Sequence, residues 1–369
     1  MRGVDFTLFK ISAYFSLAYF FLISFSFLSH SVAFSLMKLT KTNSFLFVVL
    51  LVSIYAVSGC SFSLPKLFSS LFKNAPKVVE NAKPVPEFTT VSYKDSAAVR
   101  FLVVGDWGTG AGFQKRVAEQ MCLKAASERA EFVVSTGDNI YNRGVDSVND
   151  PQWKTKFEDI YSCDALQVPW YAVLGNHDHR GNIQAQIDYH TKSPRWNMPA
   201  RYYTFRKTSS NGVSVDFFAI DTDPLITAHW DFCAEQERWL KAVLQKSDAR
   251  WKIVVGHHMV RSYGGYGDQQ IIIDRIKPLL DEFKVDVYMN GHDHDIQYIK
   301  HPADAFYCLI SGGGGEGRDT GYGEHTIFAM TNGGFNYIAI SESHLYCEFI
   351  NIEGKTLFAT RISKLQSKG

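Results

Sequence analysis

Five apolar runs of strand length, each followed closely by a glycine and then by polar residues, limit this chain to a narrow set of folds. Amphipathic stretches with helical spacing lie among these runs, and this pattern predicts a layered α/β domain. The apolar runs occupy residues 99–104, 132–135, 170–174, 251–255 and 285–289, and the helical stretches occupy residues 113–129, 153–161, 183–190, 234–245 and 268–283.

The last third of the chain is mostly β in pattern. We therefore expect an α/β fold in which two mixed β-sheets pack as a sandwich flanked by helices. Ligands of open α/β sheets gather at the carboxyl ends of the strands, so the polar residues after the runs should carry the chemistry. The further predicted strands are residues 202–205, 213–220, 306–311, 327–330, 337–340, 345–350 and 357–362.

Each of the first five runs leads into a short motif that bears carboxylate, amide, phenol or imidazole groups. A single Gly-Asp turn is ordinary, because Asp hydrogen-bonds its own backbone there. A fold has no structural need for such residues at every strand end, so five motifs in order predict a functional site. Their donors suit Fe, Zn or Mn, and a carboxylate can bridge two ions about 3.5–4 Å apart. The motifs are GDWG at 105–108, GDNIY at 137–141, GNHD at 175–178, GHH at 256–258 and GHDH at 291–294.

The order and spacing of these motifs resemble those of the purple acid phosphatases in their small, single-domain form, within the calcineurin-like metallophosphoesterases. The resemblance extends over about residues 95–364. It is closest in GNHDHRGN at 175–182 and in GHDHDIQY at 291–298. It implies the metallophosphoesterase architecture of two packed sheets.

The resemblance also implies two metal ions, Fe(III) and a second divalent metal that is Zn, Fe or Mn. Tyr141 is the discriminating residue, because its phenolate binds Fe(III) in this family and the wider superfamily lacks it. Carried over by position, the iron ligands are Asp106, Tyr141 and His294, the ligands of the second ion are Asn176, His257 and His292, and the bridging ligand is Asp138.

The implied activity is that of an acid phosphatase, which hydrolyses phosphate monoesters through a metal-bound hydroxide. Two cations lower the pKa of bound water and neutralise the phosphate. By resemblance, Asn176 and His177 face the substrate, His177 protonates the leaving group, and Asp178 orients a neighbouring group.

Tyr266 departs from the family, which usually has a substrate-facing histidine nine residues after the position of His257. Because Tyr is a far poorer acid near neutral pH, we expect a shifted pH optimum or substrate preference.

Two other functions are compatible with the pattern. One is a phosphodiesterase or nucleotidase of the same superfamily, against which Tyr141 argues. The other is a non-catalytic surface lipoprotein, against which the complete set of ligands argues. Lys plus Arg number 38 and Asp plus Glu 37, so the charge balance offers no basic surface for nucleic acid. The expected partners are small phosphate esters.

The histidines outside the ligand set are expected to be ordinary polar or surface residues. His258 follows a predicted ligand, and we expect it to be solvated. The run SGGGGEG at 311–317 lacks the lysine and the helix of a phosphate-binding loop, so we expect a flexible loop near the mouth of the site. The other histidines are His179, His190, His229, His301, His325 and His344.

The N-terminal residues 1–60 are dominated by apolar residues and serine, which predicts a targeting region. Residues 37–60 resemble a bacterial lipoprotein signal that ends at a lipidated Cys60. On this interpretation Met37 is the true start, and residues 1–36 come from a start codon placed too far upstream. The alternative is a membrane anchor within residues 11–36. The first interpretation predicts an exported envelope lipoprotein or a periplasmic protein. The second predicts a secreted or secretory-pathway membrane-anchored protein.

The rest of the chain divides by composition into three parts. Four prolines without sustained periodicity predict a linker, and a catalytic domain and a short tail follow. The chain has six cysteines, so if Cys60 is lipidated at least one of the other five is unpaired. The predicted boundaries are 61–94 for the linker, 95–364 for the metallophosphoesterase domain and 365–369 for the tail.

Overall fold

The computed structural model describes residues 97–364 of the chain. The predicted targeting region 1–60, the linker 61–94 and the tail 365–369 lie outside these described residues. Within the described range, no helix has both the length and the hydropathy that crossing a bilayer requires.

The described residues form two seven-stranded mixed sheets, which confirms the predicted α/β sandwich. The strands are β1 (Val99–Val104), β2 (Phe132–Ser135), β3 (Trp170–Ala172), β4 (Trp196–Asn197), β5 (Tyr203–Thr208), β6 (Ser214–Ala219), β7 (Trp251–Val255), β8 (Val287–Asn290), β9 (Ile296–Ile299), β10 (Tyr307–Ser311), β11 (Thr326–Met330), β12 (Gly334–Ile340), β13 (His344–Asn351) and β14 (Thr356–Ser363). The first sheet has the order β14-β13-β12-β1-β2-β3-β4, and β1 to β4 are parallel. The second has the order β11-β9-β10-β8-β7-β6-β5, and β6, β7, β8 and β10 are parallel.

The inner faces of the two sheets share one apolar core. The Phe217 ring of β6 lies 5.4 Å from the Phe101 ring of β1 and 5.6 Å from the Phe132 ring of β2, between centroids. Successive side chains of a strand face opposite sides. Phe218 accordingly belongs to a second apolar cluster, together with Leu240. The second sheet is therefore buried on both faces, as expected for parallel strands.

The helices connect the strands and cover the sheets. A π-helical turn, Lys154–Glu158, continues the second helix. The α-helices of the described residues are α1 (Gly112–Glu128), α2 (Pro151–Trp153), α3 (Ile183–Asp188), α4 (Asp223–Ile226), α5 (Trp230–Lys246), α6 (Gln270–Arg275) and α7 (Lys277–Glu282), and the 3-10 turns are Asp164–Leu166, Asp178–Arg180 and Tyr189–Thr191.

Some predicted elements differ from the observed ones. The single helix predicted at 268–283 is two helices that meet at Ile276, because Pro278 has no N–H with which to continue the first. Strand β4 was not predicted because it has only two residues. Strand β9 was not predicted because the polar Gln297 interrupts its apolar run.

One disulfide joins α1 to the loop before β3. Cys122 is bonded to Cys163, across a sequence separation of 41 residues. The other cysteines of the described range, Cys233, Cys308 and Cys347, are free and buried. Disulfides persist in oxidising compartments, so this bond agrees with an exported protein.

We predict that replacing both Cys122 and Cys163 with serine lowers the free energy of unfolding by about 4 kcal/mol, because the bond closes a loop of 41 residues in the unfolded chain. Urea unfolding of the purified chain without reductant measures the change. Reductant should destabilise the wild type and leave the double variant unaffected. Equal sensitivity of the two proteins to reductant would contradict the prediction.

Candidate metal centre

The five motifs lie in loops at the carboxyl ends of β1, β2, β3, β7 and β8. Asp106, Asp138 and His292 each follow a motif glycine and have φ values of 57°, 50° and 72°, in the left-handed region that side chains rarely adopt. A Cβ at Gly291 would lie 2.3 Å from Asp106 Oδ2, and a Cβ at Gly175 would lie 2.2 Å from Asp138 Oδ1. Gly175 and Gly291 therefore make room for the two carboxylates, and the left-handed backbone of Asp106 and Asp138 directs them.

The predicted iron ligands lie together around the Tyr141 hydroxyl. Tyr141 Oη is 2.9 Å from Asp106 Oδ1 and 3.0 Å from Asp138 Oδ2. It is also 3.1 Å from His294 Nε2, which in turn is 3.4 Å from Asp106 Oδ1. These four side chains thus present three oxygens and one nitrogen to a common point.

The predicted ligands of the second ion form an adjoining group. His257 Nε2 is 3.3 Å from Asn176 Oδ1 and 3.2 Å from His292 Nδ1. The same His257 nitrogen is 3.6 Å from Asp138 Oδ2. The Asp138 oxygen that contacts Tyr141 is therefore also close to the second group. All seven predicted ligands meet in one place.

Hydrogen bonds behind the ligands fix the orientation of two imidazole rings. His257 Nδ1 lies 2.9 Å from the carbonyl oxygen of Thr136, and His294 Nδ1 lies 2.9 Å from Glu316 Oε1. Because both partners accept, each Nδ1 carries the proton and each Nε2 keeps its lone pair for a cation. The sequence did not reveal Glu316, which follows a glycine run without a recognisable ligand spacing.

The electrostatics of the two groups favour bound cations. Burial raises the pKa of Asp106 well above its usual range, and the charge of Asp138 adds to the effect. Burial also raises the pKa of the Tyr141 phenol. Burial lowers the pKa of His292 to about 2 and that of His294 to about 4, so both imidazoles are neutral near pH 7. Neutral imidazoles and crowded oxygen donors without thiolates fit Fe, Zn or Mn.

Asp178 connects two of the motif loops through its buried carboxylate. It accepts hydrogen bonds from the backbone N–H groups of Asn139 at 3.0 Å, Ile140 at 3.2 Å and Gly175 at 2.9 Å. Gln186 of α3 donates a further one at 2.7 Å. These contacts hold the GDNIY and GNHD loops in register, which supports the orienting role proposed for Asp178.

His177 and Tyr266 border the candidate centre. His177 Nδ1 is 2.6 Å from the carbonyl oxygen of Asn142, and its Nε2 is 3.9 Å from Asp138 Oδ2. The Tyr266 ring stacks on His292 with 4.2 Å between centroids. Both residues therefore lie beside predicted metal ligands.

Two histidines differ from the sequence-based expectation. The prediction that His258 is solvated is wrong: it is buried, and its Nδ1 lies 2.9 Å from Thr222 Oγ1. His179 was expected to be an ordinary polar or surface residue, but its Nε2 lies 2.8 Å from Asp221, which is fully buried. The others are exposed or half-buried: His190, His229, His301, His325 and His344.

The glycine-rich run is a packed segment, and the prediction of a flexible loop fails for its first half. Residues 311–315 are buried. A Cβ at Gly312 would lie 1.9 Å from the Asp293 carbonyl oxygen, and a Cβ at Gly314 would lie 2.6 Å from Val104. The absence of side chains lets this backbone lie directly on the motif loops and brings Glu316 to His294.

Comparison with known proteins identifies the family. The profile of the calcineurin-like phosphoesterase family matches residues 99–295. Purple acid phosphatase 4 of Arabidopsis thaliana is 34% identical over 303 residues, which cover 76% of this chain and 88% of that protein. The chain belongs to the purple acid phosphatases. Tartrate-resistant acid phosphatase type 5 of Homo sapiens is 34% identical over 299 residues, which cover 72% of this chain and 91% of the human protein.

Two solved structures have the same fold as this chain. GAP50, the anchor in the inner membrane complex of Plasmodium, superimposes with a TM-score of 0.66 at 26% identity, covering 74% of this chain and 90% of GAP50. Purple acid phosphatase PPD1 from yellow lupin (Lupinus luteus) seeds gives a TM-score of 0.57 at 17% identity, covering 73% of this chain and 54% of PPD1. At that identity the second likeness concerns the fold alone.

We predict that Asp106→Asn stabilises the metal-free protein by roughly 1–3 kcal/mol at pH 7, because the raised pKa of the buried Asp106 carboxyl makes it costly at that pH either to keep the charge or to take up a proton. The asparagine oxygen can still accept the His292 N–H that Asp106 Oδ2 accepts at 2.9 Å. Added metal should raise the unfolding temperature of the wild type far more than that of the variant. Denaturation with and without chelator tests both effects, and a metal-free variant less stable than wild type would contradict the explanation.

Proposed function

We propose that this member of the purple acid phosphatases hydrolyses phosphate monoesters at a binuclear metal centre. The observation that carries the proposal is the position of Asp138 Oδ2. It lies 3.0 Å from Tyr141 Oη and 3.6 Å from His257 Nε2, so one carboxylate oxygen belongs to both ligand groups. A shared ligand between two ions is the arrangement that two-metal phosphoester hydrolysis requires.

The ligand groups differ in the ions that they suit. The first contains the Tyr141 phenol and two carboxylates, and we assign Fe(III) to it. The second contains Asn176 and two imidazoles, and we assign Zn, Fe or Mn to it. When bound, the two cations supply Lewis acidity toward the phosphate oxygens and activate water for attack on phosphorus.

His177 is the proposed proton donor to the leaving alcohol. The Asn142 carbonyl oxygen can only accept, so His177 Nδ1, 2.6 Å away, carries a proton. With Nδ1 engaged in that bond, Nε2, 3.9 Å from Asp138 Oδ2, can donate to the leaving group when the ring carries a second proton as an imidazolium. Asp178 is proposed to act through position, because it fixes the loop on which His177 lies.

We further propose that the protein is exported. The Cys122–Cys163 disulfide supports this proposal, because such bonds are rare in reducing compartments. Residues 37–60, with Cys60 as the lipidated residue, remain the proposed signal, and a membrane anchor within residues 11–36 is the alternative. Mass spectrometry of the protein purified from cells distinguishes them, because a diacylglycerol on Cys60 changes the N-terminal mass.

We predict that the purified chain contains about two metal ions, absorbs visible light, and releases p-nitrophenol from p-nitrophenyl phosphate faster than from its bis ester. Tyr141→Phe should abolish the visible band, because it removes the phenolate from iron. Tyr202→Phe is the matched control, since Tyr202 bonds Glu235 and contacts no predicted ligand.

Three results would redirect the proposal. Faster cleavage of the bis ester would identify a phosphodiesterase. Fewer than about one metal ion per chain, together with no phosphate release, would favour a binding module, in line with the likeness to the anchor GAP50. A visible band that persists in Tyr141→Phe would exclude the iron–phenolate assignment.

We predict that Tyr266→His widens the pH range in which the enzyme is active or shifts its pH optimum. A histidine over His292 titrates near neutral pH and can share proton donation with His177, whereas a tyrosine cannot. The pH dependence of kcat/KM with p-nitrophenyl phosphate measures the change, and Tyr266→Phe controls for loss of the hydroxyl alone. A Tyr266→His profile that superimposes on the wild-type profile would remove Tyr266 from the substrate site.

A further inference from the structure

His258 lies beside the proposed ligands of the second ion but is not one of them. It follows His257 in the chain and is 2% exposed. The centroid of its ring lies 4.5 Å from that of His292 and 5.1 Å from that of His257. A ring nitrogen of His258 lies within 4.8 Å of a ring nitrogen of each of these two residues. The His258 ring therefore borders the place where the second ion is proposed to bind.

The Thr222 hydroxyl determines which nitrogen of His258 carries the proton. Thr222 Oγ1 accepts the backbone N–H groups of His257 at 3.3 Å and of His258 at 3.0 Å. A hydroxyl oxygen has two lone pairs, and these two hydrogen bonds engage both of them. The hydroxyl proton is left for His258 Nδ1, which lies 2.9 Å from Oγ1 and must accept it. The His258 ring is therefore neutral and carries its own proton on Nε2.

The Nε2–H group of His258 lacks an acceptor in the part of the chain that the structure describes. None of residues 97–364 accepts a hydrogen bond from it. The backbone of His258 is fixed, because the Tyr288 hydroxyl donates to its carbonyl oxygen at 2.7 Å. A buried N–H group without an acceptor is costly. Nε2 does not serve as a metal ligand either, because a protonated ring nitrogen has no free lone pair. This group thus needs an acceptor from outside the protein.

We propose that His258 binds the substrate by donating a hydrogen bond from Nε2 to an oxygen of the phosphate group. Phosphate oxygens are strong acceptors, and hydrogen bonds to charged groups are stronger than those between neutral groups. A neutral imidazole can lie beside two other imidazoles, and beside bound cations, without the repulsion that an imidazolium would meet. His258 is thus a substrate-binding residue, and Thr222 is a positioning residue. This proposal rests on the proposed function, because the phosphate must lie on the metal centre.

The test measures by calorimetry how tightly inorganic phosphate binds to the full chain, purified in detergent with its metals. The amide nitrogen of Gln can occupy the position of Nε2, whereas that of Asn reaches only the position of Nδ1. We expect H258N to bind phosphate roughly ten-fold more weakly than wild type, and H258Q to stay within about three-fold of it. Both variants should keep about two metal ions per chain and the visible band. H190N, at an exposed position, is the matched control and should change neither value.

Turnover of p-nitrophenyl phosphate gives a second readout. The loss in H258N should appear mainly in KM, because a hydrogen bond made equally to substrate and transition state leaves kcat unchanged. If H258N does not fold, H258F takes its place, since a phenyl ring fills the same space without a donor.

Three results would overturn the proposal. Loss of a metal ion in H258N would mean that His258 is a ligand of the second ion. Phosphate affinity equal to wild type in H258N would mean that His258 only packs against the site. Equal losses in H258N and H258Q would mean that a donor at the position of Nε2 is not what matters. If the wild type binds phosphate but releases no p-nitrophenol, the proposed function fails, and the phosphate affinities still decide the role of His258.

Discussion

A carboxylate that is removed from water must obtain compensation from the groups around it. Asp138 is 1% exposed, and its two oxygens have different neighbours. Oδ1 accepts the backbone N–H of His177 at 2.8 Å, whereas Oδ2 faces the Tyr141 hydroxyl and the His257 imidazole. One buried charge thereby links three of the five motif loops. The unusual φ of Asp138 and the bare backbone of Gly175 are what allow that close approach.

The two sheets contribute different chemistry to the centre. Loops of the first sheet supply the oxygen donors, and loops of the second supply the imidazoles. Burial keeps His292 and His294 neutral, so they can share a small volume without mutual repulsion. Burial and the neighbouring Asp138 raise the pKa of Asp106 well above its usual range, so a positive charge nearby would favour its ionised form. The fold therefore places buried carboxyl groups beside neutral imidazoles, and bound metal ions would supply the positive charge that this site lacks.

The sequence predicted the sandwich and the convergence of the ligands because both depend on local patterns. Apolar runs define strands, and strands that are parallel in a sheet bring their carboxyl ends to one edge. Contacts between single residues that are far apart in the sequence leave no such local pattern, so they could not be predicted. Glu316 reaches His294 from a segment whose glycines indicated only flexibility. His258 was assigned to solvent because its neighbour in sequence was the ligand, yet the packing around Thr222 encloses it.

The division of ligands between the sheets has a consequence for how the protein matures. The ligand positions run from Asp106 to His294, and neither sheet alone contains a complete group for either proposed ion. Cations can therefore be captured with full coordination only after the last histidine has been synthesised and the two layers have closed on each other. Metal acquisition becomes a late step of biogenesis. For a chain that crosses a membrane unfolded, that step belongs to the destination compartment, where the local supply of iron and zinc would decide which ions it carries.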